Sequence, residues 1–152
     1  MRHRRAVSGV CVVAVVGALA GCGGSDDTAT FKSGYNAVRA PLNQTGQAIA
    51  AEISQASKQT DAQVSASFRS LALRFQSQLA QLKALKPPSS VANQWKDVTA
   101  AATRLDSDLS AIGAAAGAHN SSATQQAAAR LAADASALTQ AINPIKQKLG
   151  LK

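Results

Sequence analysis

Residues 64–90 read VSASFRSLALRFQSQLAQLKALKPPSS, and their apolar side chains fall at Val64, Phe68, Leu71, Phe75, Leu79, Leu82 and Leu85. Steps of three and four draw one stripe along a helix, whereas a half-buried strand alternates every second residue. The stretch also carries its own limits. Thr60 with Gln63 has the spacing of a capping box, in which each side chain takes the other residue's backbone N–H. Pro87 and Pro88 end the helix, because the residue before a proline avoids the α region.

Three more stripes flank this one. Phe31, Tyr35, Val38, Leu42, Thr45, Ile49, Ile53 and Ala56 form the first. Val91, Trp95, Val98, Ala102, Leu105, Leu109, Ile112 and Ala116 form the third. The fourth is Thr124, Ala128, Leu131, Ala135, Leu138, Ile142, Ile145 and Leu149. Ser89 or Ser90 is placed to cap the third helix, and Ser122 with Gln125 repeats the capping-box spacing before the fourth. Pro41 predicts a kink in the first helix, since proline removes one backbone bond. Asn143 and Pro144 predict a separate final turn with proline at its first position. The connections are short, as in GAHNS at 117–121. Short connections join antiparallel neighbours, so the expected fold is all-α: an up-down-up-down four-helix bundle over residues 31–152. Alanine holds many stripe positions, which predicts close helix pairs and little internal space.

The chain opens MRHRR, basic and without an acid, and continues almost wholly apolar or small through residues 6–20. Such a run is shorter than the roughly 20 residues that a membrane-crossing helix needs. A basic start, a short apolar run and small residues behind it predict an export signal over residues 1–21 rather than a permanent span. Leu19-Ala20-Gly21-Cys22 then resembles the lipobox of bacterial lipoproteins. That resemblance implies a diacylglyceryl group on the Cys22 sulfur, cleavage just before it, and a mature chain anchored on the extracytoplasmic face of the cell membrane. Cys11 leaves with the signal, so Cys22 remains as a lone cysteine that forms no internal disulfide. Two acyl chains hold firmly where one holds only marginally. GGSDDTAT at 23–30 has no apolar period and, with Cys22, is expected to form a flexible tether. LKALKPPSS at 82–90, followed by Trp95 and alanine-rich helices, is similar to small actinobacterial lipoproteins of unassigned role. That likeness bears on fold alone and implies no site residues.

The full chain carries +8; loss of Arg2, Arg4 and Arg5 leaves 13 Lys+Arg against 8 Asp+Glu. In an up-down bundle the starts of helices one and three share an end with the finishes of two and four, and the tether makes that end membrane-proximal. Lys32, Arg39, Lys83, Lys86, Lys96, Lys146, Lys148 and Lys152 fall in that half, against Asp26, Asp27 and Asp97. The distal half balances Lys58, Arg69, Arg74, Arg104 and Arg130 against Glu52, Asp61, Asp106, Asp108 and Asp134. The basic end is therefore expected to meet anionic headgroups or an acidic envelope polymer, at about 1 kcal/mol per Lys or Arg near the surface. Lysines at helix C-termini also offset the macrodipole, and the residues alone fit both roles.

Enzymatic readings lack parts. After residue 21 the chain has one histidine, His119, no methionine and one glutamate, Glu52. Haem ligation needs an axial histidine with a second ligand. A di-metal carboxylate bundle needs Glu-x-x-His pairs, and Gln55 stands where that histidine belongs. Asp106 and Asp108 sit two apart on a helix, point away from each other and read as a solvated face. Serines lack the Gly-x-Ser-x-Gly setting, and the glycines form no phosphate-cradling loop. Nucleic acid is not an expected partner, because the chain is exported and its aromatics occupy core positions. Trp95 reads as core, with anchoring at a wet apolar border as the alternative. No cofactor or metal is expected beyond the lipid on Cys22. The leading functional expectation is a non-catalytic envelope component whose outer helix faces meet another envelope protein or polymer. The alternative is a carrier or sensor of a small apolar ligand held between the helices. A cavity at Phe68, Phe75 and Leu109 favours that alternative, and an alanine-tight interior opposes it.

Overall fold

A computed structural model describes residues 24–151, with side chains from residue 26 onward. The expected signal at 1–21, Cys22, Gly23 and Lys152 lie outside the described residues. The described chain is all-helical, with four helices packed against one another: α1 (Gly24–Gln55), α2 (Asp61–Ala84), α3 (Ala92–Gly117) and α4 (Ser121–Leu149). Short 3-10 turns at Ala56–Lys58 and Ser89–Val91 stand between α1 and α2 and between α2 and α3.

The stripes of α2 and α3 are buried almost from end to end. Val64, Phe68, Leu71, Phe75, Leu79 and Leu82 meet Val91, Trp95, Val98, Ala102, Leu105, Leu109, Ile112 and Ala116 in one core. α3 packs against both α2 and α4, while α1 lies mainly on α2 and barely touches α4. Phe31, Tyr35 and Trp95 close the core at one end, with the Phe31 and Trp95 rings edge-on at 4.9 Å. Trp95 is 4% exposed, so it packs as core rather than at a wet border.

Helix ends meet in pairs. Asp61 at the start of α2 takes a 2.8 Å contact from His119 Nδ1, just past the finish of α3. Lys148 Nζ, in the last turn of α4, donates to the Ser90 carbonyl just before α3 at 2.7 Å. Gln78 Nε2 of α2 donates to the Pro41 carbonyl and the Thr45 hydroxyl of α1, at 3.2 and 2.9 Å.

Several local expectations need correction. The expected tether at 23–30 is helical from Gly24, because Asp26 and Asp27 in the first turn favour the positive end of the helix dipole. Asn143 and Pro144 start no new turn, since α4 continues through both. Pro144 and Gln140 lie on the exposed side, so the carbonyl that the proline ring leaves without a donor faces solvent rather than the core. Neither Ser89 nor Ser90 caps α3. The fully buried Val91 draws that stretch into a 3-10 turn, with Val91 N–H donating to the Pro88 carbonyl at 3.0 Å.

Ser122 does not cap α4 either; the Asn120 Oδ1 accepts from the Ala123 N–H at 3.0 Å. The cause is the end of α3. His119 adopts a left-handed φ of 53°, its N–H reaching the Ala116 carbonyl while the Asn120 N–H reaches Ala115. This is a Schellman closure, and it delivers Asn120 directly to the next helix start. The capping box of Thr60 and Gln63 is present in full.

Candidate binding groove and basic end

Apolar stripes bury only where a neighbour covers them, and α1 and α4 fail to cover each other along their middle lengths. Ile53 is 44% exposed, Ala135 is exposed, and Leu42, Ile49, Leu138 and Ile142 are half-buried. Between these helices runs an open groove of about 690 Å³. Its walls are Leu42, Gly46, Ile49, Ala50 and Ile53 from α1, and Leu131, Ala135, Leu138 and Ile142 from α4. Phe75, Leu82, Val98, Ala102 and Leu105 form its floor. A volume of this size lies within the roughly 300–1,000 Å³ that small-molecule sites occupy.

The set Phe68, Phe75 and Leu109, at which a cavity would favour the carrier alternative, is not what lines this groove. Phe75 reaches the groove, whereas Phe68 and Leu109 are 2% and 0% exposed within the core. The groove is open to solvent, so it lies outside the internal space that the alanine positions are expected to restrict. Small residues on α1 and α4, Gly46, Ala50 and Ala135 among them, leave room rather than drawing the helices together. A Cβ built on Gly46 would meet no atom within 4 Å.

At one end of the groove stand Tyr35, Arg39 and Asn43, which line it from α1. Arg39 and Asn43 also line an adjoining cleft of about 580 Å³, together with Lys32, Asn36, Gly150 and Leu151. No Asp or Glu lines either space among the described residues. Burial pushes the Tyr35 hydroxyl pKa up, and the Arg39 charge partly opposes it. The periodicity of the sequence held the signal for this face. Tyr35, Arg39, Leu42, Gly46, Ile49 and Ile53 form a second series at helical spacing that overlaps the first stripe.

The basic-end lysines separate from the paired charges. Lys83, Lys86, Lys96 and Lys148 are exposed, and Lys32 and Lys146 are half-buried. Among the described residues none of these six forms an ion pair. The ion pairs present among the described residues are Arg104–Asp134 at 2.7 Å and Arg130–Asp108 at 3.2 Å, and with the 2.8 Å His119–Asp61 contact they all lie within the other half. Asp108 is a correction to the expected solvated face. Its side chain is 8% exposed, with Oδ1 on Arg130 and Oδ2 buried without a partner. Nothing near it in sequence announced this, because the pairing arginine stands on the next helix.

Among the described residues no group of three or more His, Cys, Asp and Glu side chains is placed to hold a metal ion. No described helix is long and apolar enough to cross a membrane. No protein-family model matches the chain, and no curated protein or solved structure is similar to it.

Proposed function

We propose that the protein is a non-catalytic binding module of the cell envelope, held outside the membrane by a diacylglyceryl group on Cys22. Its helices form an up-down-up-down bundle, and its binding element is the groove between α1 and α4. The Asp61–His119 and Ser90–Lys148 contacts support that topology, since each brings the start of one helix to the finish of its neighbour or successor. The observation that carries the function is the groove itself, an open and mainly apolar space of about 690 Å³. It supports a carrier or sensor of a small apolar ligand over a purely protein-facing surface.

The test compares full-length protein with a groove-filled Ala135→Phe variant, both taken from membranes and analysed for co-purifying molecules by native mass spectrometry. Wild type is expected to carry an apolar ligand that the variant loses. Equal loading of both forms would remove the groove as the site. The anchor has its own test. Cys22→Ser is expected to leave the leader uncut and to abolish acyl labelling of the chain.

A second reading concerns the basic end, supported by the absence of ion pairs at Lys32, Lys83, Lys86, Lys96, Lys146 and Lys148 among the described residues. These side chains meet anionic headgroups beneath the anchored bundle. Replacing Lys83, Lys86 and Lys96 with glutamine is expected to weaken retention of a soluble form starting at Gly23 on anionic vesicles and leave neutral vesicles unaffected. Unchanged retention on both would end this reading.

A further inference from the structure

The groove has chemical polarity along its length, and that polarity narrows what it takes. Its apolar part is made by both helices, yet its one charged lining residue, Arg39, stands near one end. Arg39 is half-buried and forms no ion pair among the described residues. The adjoining cleft adds Lys32 and the amides of Asn36 and Asn43. A cation beside hydrocarbon is costly unless something neutralises it, and a guanidinium fork matches a carboxylate in two parallel hydrogen bonds.

We propose that the groove takes a single-chain amphiphile with an anionic head, a long-chain carboxylate. Its chain lies along Leu42, Ile49, Leu138 and Ile142, and its carboxylate sits at Arg39. This assignment rests on the groove being the binding element. A purely apolar ligand would fill the channel but leave Arg39 without a counter-charge. A cationic amphiphile would be repelled at the same place, since Arg39 and Lys32 flank the mouth and no carboxylate answers them.

The length agrees. From Tyr35 to Ile53 the groove follows eighteen helical steps, ~27 Å at 1.5 Å each. An acyl chain in a bilayer spans about half of a ~30 Å hydrocarbon core, so one chain and its head fit within the channel. Tyr35 lines the same mouth as a neutral phenol, a donor that complements a carboxylate.

The test uses membranes carrying the full chain and two photoreactive, alkyne-tagged probes of equal chain length, a fatty acid and the corresponding alcohol. After irradiation the labelled peptides are mapped by mass spectrometry. The acid is expected to label peptides within 42–53 and 131–142, with the alcohol labelling them far less at equal membrane content. Arg39→Gln is expected to lower labelling by the acid about tenfold, the loss of one hydrogen bond to a charged group. Arg39→Lys retains much of it, and Gly46→Phe removes labelling by both probes. Equal labelling by acid and alcohol, unchanged in Arg39→Gln, would overturn the carboxylate assignment and leave the groove reading standing. Labelling of these peptides by neither probe would overturn both. If Arg39→Gln does not accumulate, the acid-to-alcohol ratio on the wild-type chain decides.

Discussion

The Ser65 hydroxyl donates to the Gly113 carbonyl at 2.7 Å, binding α2 to α3 where the two helices pack tightly. A side chain at Gly113 would have its Cβ 3.1 Å from Arg69 Cγ, 3.3 Å from the Arg69 backbone nitrogen and 3.4 Å from the Ser65 carbonyl oxygen. Two of those atoms are backbone and cannot swing aside. Gly113→Ala is therefore expected to destabilise the fold by about 1–3 kcal/mol through overpacking, despite alanine's better helix propensity. Gly46→Ala provides the contrast, because it adds its methyl to open space and should stabilise by about 0.5–1 kcal/mol. Urea midpoints of the two variants check both signs.

Trp95 offers a second measurement. It packs edge-on to Phe31, is 4% exposed, and its indole N–H is buried without a partner. Trp95→Ala is expected to cost about 3–5 kcal/mol, the range for emptying a large aromatic site. Trp95→Phe should cost clearly less, since its ring refills most of the site that alanine leaves empty. Helical circular dichroism during unfolding follows both, as the chain's one tryptophan is the residue replaced. Equal costs would mean that a phenyl ring does not refill the site.

Thr60 tests the start of α2. Its hydroxyl accepts from the Gln63 N–H at 3.3 Å, and Gln63 Oε1 accepts from the Thr60 N–H at 2.9 Å. Thr60→Ala is expected to lower stability by about 1 kcal/mol, and Thr60→Gly by only a few tenths. Thermal midpoints of the two variants separate the lost cap from the lost methyl.

These residues also show where sequence reasoning works and where it stops. The stripes of α2 and α3 were legible because both helices have neighbours that cover them throughout. An apolar period shows that a face is greasy, but says nothing of what lies against it. Ile53, Leu138 and Ile142 therefore read as core although they border a groove. Thr60 and Gln63 were legible because a capping box is written within four residues. Asn120 was not, because its capping role depends on His119 turning left-handed at the end of α3. Asp108 was hidden for a similar reason, since its neighbours Arg130 and Asp134 belong to α4. The lysine excess was visible by counting. Its separation from the ion pairs needed the fold.

The Asp108 carboxyl supplies a pH dependence. Burial raises its pKa, Asp134 adds to the rise, and the hydrogen bond from Arg130 Nε opposes it. Arg104 faces the same group of charges through its 2.7 Å bond to Asp134. With its pKa raised on folding, the folded chain binds this proton more tightly than the unfolded chain. The stabilisation is complete below the unfolded aspartate value, about 3.9, and is lost as pH rises through the folded value. Asp108→Asn, which never ionises, is expected to remove this loss, so its stability relative to wild type should climb with pH across that window. Asp134→Asn should shrink the wild-type loss by lowering the Asp108 pKa. Urea titrations at closely spaced pH values from 3 to 7 measure it, and parallel wild-type and Asp108→Asn curves throughout would show that Asp108 titrates like a solvated carboxyl.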